Sequence, residues 1–159
     1  MKISILCVGK IKEKFYSDAV AEYMKRLGRY ADVTIYEAAD EKTPDGASKE
    51  LERQIKEKEG KRLLDKWDSS AYTFVLAING KQFSSEKFSE KIEELGVYGT
   101  SHIQFVIGGS LGLSDEIIKK ADALLSFSQM TFPHQLMRVV LLEQIYRAYR
   151  IMKNEPYHK

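Results

Sequence analysis

The chain has 159 residues, of which 43% are hydrophobic and 30% charged, and its formal net charge is +2 at pH 7. This length predicts one domain over residues 1–159, and the composition excludes a disordered chain. No apolar run approaches the roughly 18 residues that span a membrane, so we expect no membrane segment. Cys7 is the only cysteine, which excludes a disulfide framework and a cysteine-based zinc site. Because Cys7 lies in an apolar run, we expect it to be a small buried hydrophobe.

The first strand is predicted at residues 3–8. Its apolar stretch is too short for a signal peptide, and Lys10, Lys12 and Lys14 follow it at once. Since no export signal is recognised, we expect a cytoplasmic protein.

Apolar runs then alternate with helical stretches, which predicts an α/β fold with a mostly parallel sheet flanked by helices. The other strands are predicted at residues 33–37, 72–78, 102–107 and 123–127. The helices are predicted at residues 14–28, 48–66, 85–95, 115–121 and 134–152. Several strands are nearly continuous in apolar residues, as expected of strands covered on both faces.

Helix start signals agree with these boundaries. Ser48, Ser85 and Ser114 are predicted to be N-caps. Residues 38–47 are predicted to form a loop and are the best hinge candidate. Helix 48–66 is dominated by charge, so we expect a solvated outer helix that carries no chemistry.

The charge is unevenly distributed along the chain. Residues 1–29 carry a net +4, residues 30–70 carry −3 and residues 134–159 carry +3. If the two basic ends meet in space, they form a modest anion-binding face. The alternative is that these charges belong to ordinary solvated helix faces.

The last predicted helix, 134–152, is apolar on more than one stripe, and Pro133 fits its first turn. One side of this helix can pack on its own sheet. We expect a second copy of the chain to cover the other side, because two-fold pairs are the commonest oligomers.

A glycine-rich turn, with Gly108 and Gly112, follows the strand predicted at residues 102–107. Such a turn allows close approach of a ligand, and the next helix offers free N–H groups. The pattern indicates a nucleotide or phosphate nearby but matches neither the dinucleotide-binding fingerprint nor the P-loop. The alternative is an ordinary tight turn between a strand and a helix.

The loop at residues 126–134 leaves the neighbouring strand. Its phenylalanines and methionine, together with hydroxyl and backbone groups, suit a flat heteroaromatic ligand such as adenine. The alternative is a hydrophobic corner. Two such loops at adjacent strand ends favour a ligand site, because open α/β sheets bind ligands at the carboxyl ends of their strands.

Polar residues are concentrated on and after the last helix. Glu143 and Arg147 are four residues apart and can pair, although this is equally the spacing of a surface ion pair. His134 lies at a helix N-terminus, so we expect it to be neutral and not a base. His158 is the better candidate for proton transfer. Three histidines without a zinc-binding pattern exclude a catalytic zinc site.

The chain closely resembles the SPOUT (α/β-knot) methyltransferases, specifically the small bacterial branch that acts on a pseudouridine of 23S ribosomal RNA. The resemblance covers the whole length and is carried by Val8-Gly9-Lys10, Gly80-Lys81, Ser84-Ser85-Glu86, residues 105–112, residues 125–138, Glu143 to Arg147, and Tyr157-His158.

The resemblance implies a C-terminal trefoil knot, a homodimer packed through its knot helices, and S-adenosylmethionine (SAM) as the cofactor. The implied cofactor-binding residues are Leu76, Gly108, Phe127, Ser128, Gln129, Met130, Thr131 and Phe132. It also implies 23S rRNA in the assembled ribosome as the substrate, and no metal.

A mechanism can be written as a hypothesis on this basis. The pseudouridine N3 must lose its proton to attack the sulfonium methyl group, and His158 is the expected base or base-positioning group, with Glu143 as its competitor. Tyr157 is expected to stack on the target base. Arg147 is expected to stabilise the developing anion or bind the RNA backbone.

Arg138 and Lys159 are expected to bind RNA. Two alternatives stay open: a non-catalytic RNA- or ribosome-binding module of the same fold, and a SPOUT methyltransferase that acts on tRNA.

Overall fold

The computed structural model describes all 159 residues and contains one five-stranded sheet in which every strand pair is parallel. The strand order is β2-β1-β4-β3-β5. The strands are β1 (Lys2–Val8), β2 (Asp32–Ala38), β3 (Tyr72–Gln82), β4 (His102–Ile107) and β5 (Ala123–Ser126). The helices are α1 (Lys14–Leu27), α2 (Lys49–Leu64), α3 (Ser85–Val97), α4 (Asp115–Lys120) and α5 (His134–Met152). The predicted parallel α/β fold is confirmed.

Both faces of the sheet are covered, as the continuous apolar strands indicated. Alternate residues of β1 point to opposite faces, so Ile3 and Ile5 join one core cluster and Leu6 joins the other. The larger cluster packs the sheet against α1, α3 and α5, and the smaller one packs it against α2 and α4. Cys7 lies in the larger cluster, and its burial raises the pKa of the thiol to about 12.

Two of the three predicted N-caps are confirmed. The hydroxyls of Ser48 and Ser114 accept the N–H groups of Leu51 and Ile117. The prediction of Ser85 was wrong, since Ser84 caps α3 and Ser85 instead donates to the Gln144 side chain of α5 at 2.8 Å. When two serines are adjacent at a helix start, tertiary contacts decide which of them caps the helix.

Strand β3 extends four residues beyond its predicted end at residue 78. The extension brings a second pairing, because Leu125 of β5 pairs with Leu76 and also with Lys81. Gly80 makes this possible: a Cβ there would lie 2.7 Å from the carbonyl carbon of Leu124. Beyond the strand end predicted at residue 78, β3 thus passes close to the β5 backbone at Gly80.

Helix α2 is less solvated than its composition predicted. Ile55, Glu59, Gly60 and Leu63 are buried. A Cβ on Gly60 would lie 2.7 Å from Ser114 Oγ, so this glycine lets α2 approach the start of α4. The expectation of a solvated outer helix is therefore corrected. None of the helices of the chain is long and apolar enough to span a membrane.

Candidate functional site

A cavity of about 380 Å³ lies at the carboxyl ends of β4 and β5, beside the point where β3 pairs with β5. Three segments and the start of α5 form it. Its lining comprises Leu76, Ala77, Ile78, residues 107–113, Ile118, residues 126–128, residues 130–132, His134 and Met137. The two loops that the sequence pointed out therefore face one another across a single cavity.

The cavity brings together the residues expected to bind the cofactor, with one exception. Gln129 is exposed and does not line the cavity. Ile78, Leu111 and Met137 line it and were missed. Ile78 ends a predicted strand and Met137 belongs to the apolar pattern of a predicted helix, so residue type gives no signal for either.

The glycine turn is both a tight turn and a cavity wall, so its two alternative interpretations are compatible. The Gly112 N–H donates to the Gly109 carbonyl at 3.0 Å. Gly112 has a φ of +89°, a conformation that strongly favours glycine. A Cβ on Gly108 would lie 2.8 Å from the Gly112 carbonyl carbon.

The opposite wall is the loop after β5. Ser126 Oγ donates to the Ser128 carbonyl at 3.1 Å, and the Met130 N–H donates to Ser128 Oγ at 3.0 Å. Phe127 is half-buried in the cavity wall, whereas Met130 is 72% exposed at its rim. Apolar rings beside backbone polar groups and a glycine without a Cβ suit an adenosyl group, so the residues fit the expected cofactor.

His134 lines the cavity at the start of α5. Its burial and the nearby Arg138 guanidinium lower the pKa of His134, so the imidazole is neutral at pH 7. This agrees with the expectation that His134 is not a charged group, although burial is the larger cause and the helix terminus is not needed. Gly9 packs against it, since a Cβ there would lie 3.6 Å from His134 Nε2.

Arg138 lies in a position that does not match direct RNA contact, because its side chain is buried. Its Nη1 donates to Glu37 Oε2 at 2.6 Å and its Nη2 donates to the Gly9 carbonyl at 3.2 Å. The guanidinium in the second turn of α5 therefore contacts Glu37, near the end of β2, and Gly9, just after β1. Arg138 therefore fixes the strand ends that support the site.

Glu59 is a buried charged residue beside the glycine turn that sequence reasoning missed. Its carboxylate accepts the Glu41 N–H at 3.0 Å. The Cβ position of Gly109 is 3.4 Å from Glu59 Oε1. Burial is the main cause that raises the pKa of this carboxyl. One glutamate in a charge-rich helix gives no sequence signal of such a role.

A second polar cluster, the C-terminal cluster, joins Glu143, Arg147, Tyr157 and His158 to Glu86 of α3. Arg147 Nη2 and Nε donate to Glu143 Oε1 at 2.6 and 3.0 Å. The Tyr157 hydroxyl donates to the same oxygen at 3.1 Å. The Arg147 guanidinium lies 4.7 Å from the centroid of the Tyr157 ring. The predicted pair of Glu143 and Arg147 thus becomes the centre of a network.

The C-terminal cluster fixes the hydrogen positions of His158. Arg147 Nη1 lies 3.1 Å from His158 Nδ1, and a guanidinium only donates, so Nδ1 is the acceptor. His158 Nε2 lies 2.6 Å from Glu86 Oε1 and donates to it. Both ring nitrogens are therefore occupied. Burial and the Glu143 charge raise the pKa of Tyr157 to about 12, so its hydroxyl stays protonated.

The C-terminal cluster and the cavity are separate in one protomer. None of Glu143, Arg147, Tyr157, His158 and Lys159 lines the cavity. Arg147 lies ten residues after Met137 on α5, about 15 Å along the helix axis. No group of three or more His, Cys, Asp or Glu side chains is arranged to hold a metal ion.

The fold is similar to two solved structures. A methylase family protein from Haemophilus influenzae superposes with a TM-score of 0.55 at 12% identity, over 99% of this chain and 70% of the other. A methyltransferase from Legionella pneumophila, solved with bound SAM, superposes with a TM-score of 0.51 at 12% identity, over 94% of this chain and 66% of the other.

Sequence relatives are much closer and match over their full length. The chain is 63% identical to ribosomal RNA large subunit methyltransferase H of Bifidobacterium adolescentis, 59% to that of Clostridium perfringens and 56% to that of Enterococcus faecalis. Each alignment covers 100% of both chains. The family model described as "Predicted SPOUT methyltransferase" matches residues 1–158, which confirms the resemblance found in the sequence motifs. The chain belongs to the SPOUT methyltransferase family.

Proposed function

We propose that this SPOUT methyltransferase transfers a methyl group from SAM to N3 of a pseudouridine in 23S rRNA of the assembled ribosome. The observation that carries the proposal is the cavity between the glycine turn and the loop after β5, in a chain whose full-length relatives are named ribosomal RNA large subunit methyltransferases. The whole chain, residues 1–159, acts as one domain.

The cavity residues bind and orient the cofactor. Phe127 and Leu76 supply apolar contact area, and Gly108 gives room for close approach. The loop between Ser128 and Phe132 offers backbone N–H and carbonyl groups that read an adenine edge. When bound, SAM supplies an electrophilic methyl group. These residues orient that methyl group so that the acceptor N3 can approach in line with it, which contributes much of the rate.

The substrate N3–H must lose its proton, and His158 is the group proposed to take or direct it. In the arrangement described above, Arg147 occupies His158 Nδ1. Arg147 must therefore move away, toward the RNA or the developing anion, before His158 accepts a proton. Glu143 orients Arg147 and Tyr157, because one of its oxygens accepts from both of them.

A homodimer explains how the C-terminal cluster reaches a cavity. In one protomer the two are separate, so the tail of one subunit is proposed to complete the cavity of its partner. Apolar groups support a contact at this place: Ile78 and Phe132 are exposed at the cavity rim, and Val139 of α5 is partly exposed.

A trefoil knot is proposed for the C-terminal half. What supports it is the double pairing of Leu125, with Leu76 and with Lys81. The register between β3 and β5 shifts between these two pairs, so residues 77–80 leave the ladder there. Gly80 lies against the β5 backbone at this shift.

The ribosome is the proposed partner because so small a chain relies on a preformed RNA shape for specificity. Lys159 is exposed next to the C-terminal cluster and is proposed to contact the RNA backbone. A cytoplasmic location follows from this substrate.

One assay tests the proposal: transfer of a labelled methyl group from SAM to ribosomes, isolated 23S rRNA and tRNA. We expect labelling of ribosomes, at N3 of a pseudouridine when the modified nucleoside is analysed by mass spectrometry. Labelling of tRNA alone would show that tRNA is the substrate in place of 23S rRNA. SAM binding without transfer to any of the three would show an RNA-binding module in place of an enzyme.

A further inference from the structure

We propose that residues 10–16, here called the basic segment, form an RNA-contact surface at the rim of the cavity. Lysine side chains of this segment would bind phosphates of the substrate RNA, and Phe15 would stack on an unpaired base. The inference rests on the proposed RNA substrate and adds a second binding surface, on the opposite end of the chain from the C-terminal tail.

The charge of the basic segment is available for a ligand. Lys10, Lys12 and Lys14 are exposed, and Glu13 is the only acidic residue among residues 10–16. Lys14 is paired with Asp18 of α1 at 2.7 Å. Lys10 and Lys12 make no ion pair with any carboxylate of the chain.

The basic segment lies beside the cavity because it is held there by the start of α5. The Lys12 N–H donates to Gln135 Oε1 at 3.0 Å. The preceding residue, Gly9, packs against His134, which lines the cavity. Thus the basic N-terminal part of the chain and α5 meet in space, and the lysines lie beside the cavity.

An exposed aromatic residue completes the surface. Phe15 is 64% exposed, and its ring centroid is 4.4 Å from that of Tyr16 at an interplanar angle of 52°. An exposed ring supported by a second ring, within a run of lysines, is the arrangement by which proteins bind phosphates and stack on bases together. A second copy of the chain fits worse, since a two-fold contact through this segment would oppose like charges.

The test compares Lys10→Glu/Lys12→Glu with a matched control, Lys58→Glu/Lys61→Glu, which makes the same charge change on exposed positions of α2. Ribosome affinity is measured by cosedimentation over a range of salt concentrations, and SAM affinity by calorimetry. We expect the first variant to bind ribosomes about tenfold or more weakly, with a salt slope smaller by roughly 1.5, because two phosphate contacts are lost. SAM affinity stays unchanged in both variants.

Phe15→Ala is expected to weaken ribosome binding about fivefold or more without changing the salt slope, because stacking releases no counterions. Equal losses in the control variant, or unchanged affinity and slope in the first, would overturn the proposal. So would a change of oligomeric state in Phe15→Ala with unaltered ribosome affinity. Cosedimentation needs no methyl transfer. Wild-type protein that binds ribosomes but methylates none of the tested RNAs would therefore contradict the proposed function and leave the proposed RNA-contact surface standing.

Discussion

Glu59 and Arg138 are charged side chains that the fold buries, and each supports a backbone segment near residues that line the cavity. Arg138 holds the Gly9 carbonyl, and Glu59 holds the Glu41 N–H next to the glycine turn. The sequence indicated the two ligand loops because aromatic and glycine residues have a chemical signature. It did not indicate the supporting residues, because the type and spacing of a charged helix residue are the same whether its side chain is solvated or hydrogen-bonded to a loop.

Gly108→Ala is predicted to weaken SAM binding by about tenfold or more and to destabilise the fold by about 1–3 kcal/mol, as overpacking does. The cause is the new methyl group, which would meet the Gly112 backbone at 2.8 Å. Calorimetric titration with SAM and urea unfolding measure the two effects. Gly96→Ala is the control, since its nearest neighbour is the flexible Met1 side chain at 3.7 Å. Equal SAM affinity in Gly108→Ala and wild type would argue against the cofactor site.

Glu59→Gln is predicted to gain stability relative to wild type as the pH rises. Burial raises the pKa of Glu59 in the folded chain above its ordinary value of 4.5. The folded state therefore binds this proton more tightly than the unfolded state, and wild type loses stability as the pH rises from 4.5 through the folded pKa. Glutamine stays neutral and keeps an oxygen for the Glu41 N–H.

Urea unfolding measures the difference in unfolding free energy between Glu59→Gln and wild type at several pH values between about 4 and 8. This pH range starts near the ordinary glutamate pKa and extends above it. Glu93→Gln, at an exposed position of α3, is the control and should change stability little at any pH. A stability difference for Glu59→Gln that is constant with pH would show that the carboxyl does not titrate differently in the folded chain.

At the scale of elements, α5 lies between the cofactor cavity and the C-terminal cluster, although residues of both are close together in the sequence. The first turn of α5 lines the cavity, and its last turns carry the C-terminal cluster. The existence and type of every element were predictable from periodicity. The path of β3 across β5 was not, because it depends on the close approach of Gly80 to a strand far away in sequence.

His158→Ala is predicted to lower turnover by about 100-fold or more while changing SAM affinity little, because the residue lies outside the cavity. Turnover is measured on ribosomes and SAM affinity by calorimetry. Lys153→Ala, exposed just after α5, is the control. Unchanged turnover would remove His158 from the chemistry. Deletion of residues 157–159 should leave a folded dimer, and a monomer would show that the tail is structural.

At the scale of the whole molecule, the sheet order and both core layers agree with the fold class read from the sequence. We propose that the relation of the cavity to the C-terminal cluster is set in a homodimer, which no pattern in one chain encodes. Helix α5 also packs against α1 and α3 of its own chain. These two helices account for part of the apolar surface that the sequence analysis assigned to a second copy of the chain.

A mixing experiment is predicted to show that the tail acts across the dimer. Gly108→Ala and His158→Ala proteins are unfolded together, refolded at equal amounts and assayed at a SAM concentration well below the wild-type Kd, where each variant alone has little activity. If the tail serves the partner's cavity, each mixed dimer has one intact site, so about a quarter of all sites become active. No recovery of methyl transfer would mean that each chain uses its own tail. Light scattering checks that the refolded protein has about twice the 18.3 kDa mass of one chain.

The cavity wall contributed by residues 127–132 follows the last strand, so it is synthesised after the sheet and the glycine turn. A nascent chain that stops after β5 contains all five strands and the glycine turn, but has only one wall for the cofactor. A chain that stops before this loop therefore cannot form the cofactor cavity. In this fold, cofactor binding requires synthesis to have passed the loop after β5 and the first turn of α5.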